Sequence, residues 1–417
     1  MKSETNAALD VAACRRQFPA LARTFDGKSA VYFDGPAGSQ TPRRVMDAMV
    51  AYMSERNANH GGLFPTSRES DAMLDDARAA AADLVGAKNP REIVFGANMT
   101  TLTFALSRAL ARTWKPGDEI LVTRLDHDAN FTPWVLAARD AGATVQYVDV
   151  RADDCTLDLD DLKAKLSPRT RLVAVGCASN AVGTVNPVAQ ITSLAHKVGA
   201  LVFLDAVHYA PHRLMDVTGW GCDFLACSAY KFFGPHVGVL WGREELLASL
   251  PAYKVRPASD EVPDRWMTGT QNHEGIAGAL AAIEYLAELG GVTPGVPRRQ
   301  ALIAAFATIN AHETQLSERM LAELAQLSDV RVWGITDPQR LTDRVPTFGV
   351  GHARLSATEI AERLGKQGFF VWHGNFYALP LTEALGLEPA GLVRIGMLHY
   401  NTNEEIDRLL AALAKLA

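Results

Sequence analysis

Residues 223–235, Asp223-Phe-Leu-Ala-Cys227-Ser228-Ala229-Tyr230-Lys231-Phe232-Phe233-Gly234-Pro235, decide how the rest of the chain is read. The first five form an apolar run that predicts a buried strand. A single lysine follows, between a hydroxyl residue and an aromatic pair closed by a Gly-Pro turn. A lysine at the exit of a buried strand is costly unless it is used or paired. Burial lowers its pKa, and a neutral amine can attack a carbonyl carbon to form a Schiff base. Taken alone, the stretch favours the plainer reading of a surface lysine at a strand end. Asp205 changes that balance, because it closes another apolar run, Ala200-Leu-Val-Phe-Leu-Asp205, about one strand–helix unit upstream. A strand-end carboxylate followed by a strand-end lysine meets both demands of pyridoxal phosphate. The carboxylate keeps the pyridine nitrogen protonated, and the lysine holds the aldehyde carbon.

Outward from this pair, the chain alternates short apolar runs with helical stretches. Strands are predicted at 92–95, 119–123, 144–148, 172–175, 201–204, 224–226 and 237–241, and helices at 101–114, 132–141, 159–166 and 187–198. Apolar runs without period-two alternation, joined by crossovers, predict an α/β fold: a mostly parallel seven-stranded sheet sandwiched by helices. Ligands of such sheets bind beyond the carboxyl ends of the strands, where Asp205 and Lys231 fall. Upstream lie a helix at 8–23, a strand at 29–34, a Gly/Pro loop at 35–42, a helix at 43–57 and another begun by Ser70. Downstream, the turn-rich 290–297 stretch precedes a long helix at 298–327. A smaller α+β lobe follows, with strands at 330–333, 345–350, 369–372 and 392–397 and helices at 356–366 and 403–416. Thr402-x-x-Glu405 reads as a capping box for the last helix. The expected organisation is an N-terminal segment (1–28) packing on the small lobe, a large cofactor-binding domain (29–290) and a small C-terminal domain (291–417).

Composition excludes several function classes. The 417 residues are 48% apolar and 21% charged, as in ordinary globular proteins, and the formal net charge of −6 offers no basic field for nucleic acid. The N-terminal Met1-Lys-Ser-Glu-Thr-Asn6 lacks the apolar core of a signal peptide, and no apolar run is long enough to span a bilayer. The five cysteines show no metal-ligand spacing and read as buried thiols of a reducing cytoplasm.

Other motifs carry chemistry of their own. Gly96-Ala-Asn-Met99-Thr100-Thr101 lies between a strand and a helix, where backbone N–H groups and a threonine hydroxyl can bind phosphate; a plain helix N-cap fits equally well. It is neither a GxGxxG motif nor a P-loop. Ser228 and Tyr230 can add phosphate donors. His208 and Asn180 can reach the cofactor's phenolic oxygen, although a lone histidine is more often structural and an asparagine beside glycine suits a turn. Arg394, inside the apolar run 392–396, can hold a substrate carboxylate bidentately or sit in an internal ion pair.

Together these stretches resemble the class V aminotransferase family of fold-type I pyridoxal phosphate enzymes, particularly group II cysteine desulfurases and selenocysteine lyases. The similarity runs through Phe18-Pro19, Asp26-Gly-Lys28, Tyr32-Phe-Asp34, Asp126-His127-Asp128-Ala-Asn130, Pro133-Trp134, Ser179-Asn180, Gly183-Thr184, Asp205, Ser228-x-x-Lys231, Gly269-Thr270-x-Asn272, Arg394 and Tyr400-Asn401-Thr402. The resemblance implies that Lys231 forms the Schiff base and Asp205 faces the pyridine nitrogen. It further implies that Met99, Thr100, Ser228 and Tyr230 surround the phosphate and that Arg394 binds the substrate carboxylate. It places Thr270 on the phosphate of a neighbouring subunit, hence a homodimer.

Three departures bear on the reaction. Where desulfurases of this group carry Gly-His-His-Cys-Ala-x-Pro, this chain has Gly374-Asn-Phe-Tyr377-Ala-Leu-Pro380, and a phenol cannot accept sulfur as a persulfide. A sulfur-acceptor protein is therefore not expected. The histidine usually stacked on the cofactor aligns with Asp128, so either that carboxylate binds substrate or His127 turns in. His208 replaces a glutamine, as in kynureninase-like and epimerase-like relatives. The expected activity is a desulfurase-like C–S or other Cβ lyase acting on an amino acid without a persulfide, with Lys231, Asp205, His208, Tyr377 and Asp128 as catalytic candidates. An aminotransferase or epimerase is the alternative, and a low-turnover cofactor-binding protein the third reading.

Overall fold

Seven apolar runs between Ile93 and Gly242 join into one sheet in the computed structural model, which describes residues 8–292 and 295–416. They are β1 (Ile93–Gly96), β2 (Glu119–Thr123), β3 (Thr144–Val148), β4 (Thr170–Gly176), β5 (Leu201–Asp205), β6 (Phe224–Ser228) and β7 (Gly238–Gly242). Their order is β1-β7-β6-β5-β4-β2-β3. Only β7 runs antiparallel to its neighbours, β1 and β6. The sheet is buried on both faces because alternate residues feed two apolar clusters. Val173, Val175, Leu204 and Leu225 enter one cluster, and Leu172, Ala174, Phe203 and Phe224 the other. Each of the Val, Leu and Phe side chains among them contributes roughly 1.5–3 kcal/mol on full burial.

The small lobe holds an antiparallel sheet of β8 (Val330–Trp333), β9 (Thr347–His352), β10 (Trp372–Gly374) and β11 (Leu392–Gly396), ordered β8-β9-β11-β10. The single strand expected at 369–372 is two. Phe369–Phe370 pairs in parallel with Val31–Tyr32, whereas β10 pairs with β11. The early strand is thereby tied to the small lobe, and the Phe33 carbonyl accepts the Gly396 N–H. At the N-terminus, Arg15 pairs with Glu405, and Phe18 packs edge-on against Phe233, Tyr285 and Tyr400. Residues 1–7 of the expected N-terminal segment, and 293–294 of the 290–297 break, lie outside the described residues.

Several helices depart from the sequence reading, and the one expected at 8–23 is an α-helix only over Val11–Arg16, followed by a 3₁₀ turn at Pro19–Ala22. Pro65–Val85 opens at Pro65 rather than near Ser70, because a proline at the first helical position forfeits no intrahelical bond. Arg43–Ala51 gives way at Tyr52 to a π-helical turn, where the Tyr52 hydroxyl bonds Ser70 Oγ and His273 Nδ1. His273–Glu288 was not anticipated: its Ala/Gly-rich surface masks the helical period, yet it packs between the 43–51 and 65–85 helices. The expected capping box holds, with the Glu405 N–H donating to Thr402 Oγ1 and the Thr402 N–H to Glu405 Oε2. Among the described residues no helix is long and apolar enough to cross a membrane.

The loop leaving β4 docks the large sheet onto the small one. Gly183 adopts φ +81°, its carbonyl accepts the Val345 N–H, and a Cβ there would lie 2.5 Å from the Thr347 carbonyl oxygen. Gly183→Ala is therefore expected to cost about 2 kcal/mol or more in denaturant unfolding. Gly365→Ala, in a helix with open space around the added carbon, should cost nothing; equal stability of the two variants would refute this reading of the lobe contact.

Candidate active site

The carboxyl ends of β2, β4, β5 and β6 face a cavity of about 640 Å³, closed on one side by the N-terminus of the Met99–Ala111 helix. A second cavity of about 500 Å³ opens toward the small lobe. The two share His127, Asn180, Tyr230 and Lys231. Lys231 thus stands where they meet.

Lys231 ends a 3₁₀ turn directly after β6 and is 8% exposed. Its Nζ donates to the Pro36 carbonyl and lies 4.9 Å from the centre of the Tyr230 ring. Burial, reinforced by the Arg394 charge, pushes its pKa down to about 7, against the opposing pull of Asp205 and Asp34. That difference from an ordinary lysine favours the neutral amine by something on the order of 5 kcal/mol.

Asp205 ends β5. One carboxylate oxygen accepts the Val207 N–H at 2.8 Å, and no cationic side chain forms an ion pair with it among the described residues. Burial raises its pKa to about 6. A buried carboxylate facing a cavity without a cation suits a ring nitrogen that must stay protonated. Asp126, at the end of the β2 exit turn, is a second buried carboxylate on this cavity; burial raises it to about 7, with Asp205 nearby adding to the effect. It accepts from Asn130 Nδ2 at 2.9 Å and from Thr123 Oγ1. Asp126 was not among the expected site residues; it lies three residues beyond the end of β2, whereas Asp205 is the last residue of β5.

At the other end of the cavity, Asn98 caps the 99–111 helix by accepting the Thr101 N–H, and Ser228 Oγ accepts the Met99 N–H at 3.0 Å. The Ser228 hydroxyl proton is thus available to an anion, as is the Thr100 hydroxyl on the same cavity wall. Tyr230 stacks on His236, at 5.0 Å and 15°, and both line the cavity. Thr270 lies apart, in a separate hollow with Thr101 and Asn272.

The 126–130 turn places His127, rather than Asp128, on the walls of the cavities. His127 lines both cavities, and burial with two nearby cations pushes its pKa down to about 4, so the ring is neutral. Asp128 lines neither. Its carboxylate accepts from Thr132 Oγ1, and its N–H donates to the Tyr377 carbonyl. The Asp128 carboxylate thus meets a hydroxyl at the start of the Thr132–Ala141 helix rather than either cavity. Tyr377 is 71% exposed, and its ring stacks on His127 at 5.5 Å and 24°. Phe376 and Tyr377 both take positive φ, +57° and +58°, a strained pairing for non-glycine residues.

Arg394, on β11, is 4% exposed and forms no salt bridge among the described residues. Nη1 donates to the Asn180 carbonyl at 3.0 Å, the Phe376 ring covers the guanidinium at 4.3 Å, and Nε is buried without a partner. Burial lowers its pKa to about 9, with Asp34 pulling the other way. The internal ion pair that could have explained this arginine is absent among the described residues. Asn180 donates to the Phe376 carbonyl, leaving its own Oδ1 buried and unpaired. Asp34, also missed in the sequence, has a buried unpaired Oδ1 and a pKa raised by burial to about 6. His208 donates to or accepts from Thr347 Oγ1 at 3.0 Å. A desolvated amine, an uncompensated carboxylate, hydroxyls at a helix N-terminus and unpaired buried polar atoms around one cavity fit pyridoxal phosphate.

The comparisons agree with that fit. The family profile described as Aminotransferase class-V matches residues 31–409. A cysteine desulfurase from Dickeya dadantii is 32% identical over 96% of this chain and 95% of its own length. The apo structure of a cysteine desulfurase from Thermococcus onnurineus NA1 superposes with a TM-score of 0.87 at 27% identity, covering 98% of both chains. The crystal structure of the cysteine desulfurase CsdA (S-sulfonic acid) from Escherichia coli superposes with a TM-score of 0.82 at 26% identity, also over 98% of both chains.

The lysine's depressed pKa has two measurable consequences. In apo protein mixed with pyridoxal phosphate and borohydride, the initial rate of Lys231 modification should rise with a midpoint near pH 7; a midpoint near the ordinary lysine value of about 10.5 would contradict the burial account. Between those values the unfolded chain holds a proton that the folded chain has released, so stability rises with pH there. Lys231→Met should therefore be more stable than the wild type below pH 7, with the advantage fading toward pH 10.5 in denaturant melts.

Proposed function

The chain belongs to the class-V aminotransferase family and is a pyridoxal-phosphate enzyme of cysteine desulfurase-like type, and from that premise we propose that it is an amino-acid Cβ lyase, cleaving a C–S or related bond without a persulfide on its own chain. The observation that carries this reading is Tyr377. It occupies the loop position where desulfurases of the group place cysteine, and it stands at the mouth of the substrate-side cavity. All five cysteines are buried, and burial raises the thiol pKa of each, so none is a ready thiolate acceptor.

Bound pyridoxal phosphate supplies an electron sink that makes the substrate's Cα proton removable. Lys231 would hold it covalently, Asp205 would keep its ring nitrogen protonated, and Met99, Thr100, Ser228 and Tyr230 would hold its phosphate. His127, neutral and flat-walled, would lie against its ring. Arg394 binds the substrate carboxylate, with Asn180 anchoring the guanidinium from behind. Once the substrate's amine has taken its place on the cofactor, the freed Lys231 amine, whose pKa burial lowers, would take the Cα proton as general base. The Tyr377 hydroxyl, which bonds no protein group among the described residues, donates a proton to the leaving group. Phe376 covers one face of the Arg394 clamp and excludes water from it. The protein works as a homodimer whose Thr270 meets the partner's phosphate site. The buried free thiols suit a reducing cytoplasm.

The deciding experiment incubates the holoenzyme with a panel of amino acids, cysteine among them, and follows cofactor absorbance together with pyruvate, sulfide and pyridoxamine phosphate. The lyase reading predicts keto-acid and leaving-group release with no persulfide detectable by mass spectrometry on any cysteine. Accumulation of the pyridoxamine form would favour an aminotransferase, and a protein-bound persulfide would overturn the Tyr377 argument. Lys231→Ala should abolish both turnover and the visible band of the lysine-bound cofactor. Arg394→Ala should raise KM about 100-fold, since a charge-assisted bidentate contact is worth about 3 kcal/mol.

A further inference from the structure

Behind the cavity, on the side away from the solvent, a buried polar chain joins the two lobes and is not used by the mechanism above. His208 and His212 lie four residues apart on the turn that leaves β5. Their rings meet edge-on at 5.3 Å and 74°. His212 Nδ1 bonds Glu313 Oε2 at 2.9 Å, and Glu313 comes from the Arg298–Leu324 helix. Both residues of this pair are almost wholly buried, at 1% and 4% side-chain exposure. His212 Nε2 and Glu313 Oε1 have no hydrogen-bond partner among the described residues. Leaving two polar atoms unpaired in the interior costs about 1–3 kcal/mol each. Such a cost in a native fold marks a place where something other than stability is served.

The other end of the chain is Thr347, on β9. Its hydroxyl is fully buried, and His208 Nε2 is its one side-chain partner among the described residues. If the ring donated, the hydroxyl proton would have no acceptor, so the hydroxyl donates to Nε2 and the ring proton resides on Nδ1. That nitrogen has no protein partner among the described residues, and His208 lines the cavity. Burial, with the neighbouring cations, keeps the ring neutral.

We propose that Thr347, His212 and Glu313 are positioning residues that hold His208 as the Nδ1–H tautomer, so that it presents one hydrogen-bond donor to the bound cofactor. Thr347 selects the tautomer, and the Glu313-anchored ring of His212 blocks rotation of His208 away from the cavity. The proposal rests on the assignment of this cavity to pyridoxal phosphate. The small lobe, through β9 and the 298–324 helix, thereby sets a donor that the large lobe carries.

The test is a double-mutant cycle on purified holoenzyme. Thr347→Val removes the donor hydroxyl at constant shape, and Glu313→Leu removes the anchor. Each should weaken pyridoxal phosphate binding about 5- to 10-fold in equilibrium dialysis, shift the visible absorbance maximum, and lower kcat with little change in KM. In a His208→Ala background neither should have a further effect, because both act through that ring. Glu313→Gln, which keeps an acceptor for His212 Nδ1–H, should restore wild-type cofactor affinity. Unchanged affinity and absorbance in folded Thr347→Val, or additive losses in the His208→Ala background, would overturn the proposal. Should Glu313→Leu fail to fold, Thr347→Val alone decides it. A wild type that shows no lysine-bound cofactor band would instead sink the cofactor assignment on which this rests.

Discussion

Everything in the site depends on an amine that the fold has taken out of water without giving it a full counter-charge. Among the described residues Lys231 has one direct polar partner, the Pro36 carbonyl, and two carboxylates, Asp205 and Asp34, that act on it only at a distance. The charge of Arg394 works against both of them. A salt-bridged lysine would be protonated and unreactive at neutral pH; this one is poised to be neutral. Its burden is shared by unpaired atoms nearby, on Asp34, Asn180 and Arg394, that protein groups alone do not satisfy. A cationic ring nitrogen, a phosphate and a substrate carboxylate would satisfy the same set of sites.

The architecture explains how these groups meet. Parallel strands deliver Asp126, Asp205 and Ser228–Lys231 to one edge of the sheet, and the 99–111 helix starts at the same edge. The small lobe contributes Arg394 from β11 and the 374–378 loop that carries Phe376 and Tyr377. The β4 exit loop stitches the two together, with Asn180 bonding both Arg394 and the Phe376 carbonyl, and Gly183 bonding Val345. The substrate-side cavity therefore exists only where the lobes are docked.

Much of this was legible in the chain. The strand-end positions of Asp205 and Lys231 followed from apolar runs with one polar residue at the exit, a pattern that needs no tertiary information. Elements with weak periodicity were harder: the Ala/Gly-rich 273–288 helix presents small residues on most faces, and so escaped notice. Strand partners were not legible either, since nothing in Phe369–Phe370 says that it pairs with Val31–Tyr32 rather than continuing into β10. Neighbouring residues on a turn, such as His127 and Asp128, differ only in which way the backbone points them. Asp34 and Asp126 lie inside the motifs that carry the resemblance, but their burial is a property of the folded chain and has no signature in the sequence.

The central claim, that one desolvated lysine and one uncompensated strand-end carboxylate hold the cofactor between them, is tested most directly by a crystal structure of the protein grown with pyridoxal phosphate. The account predicts continuous density from Lys231 Nζ to the cofactor, an Asp205 oxygen within hydrogen-bond distance of the ring nitrogen, and His127 rather than Asp128 against the ring. A cofactor bound without a link to Lys231, or with its ring nitrogen turned away from Asp205, would contradict it.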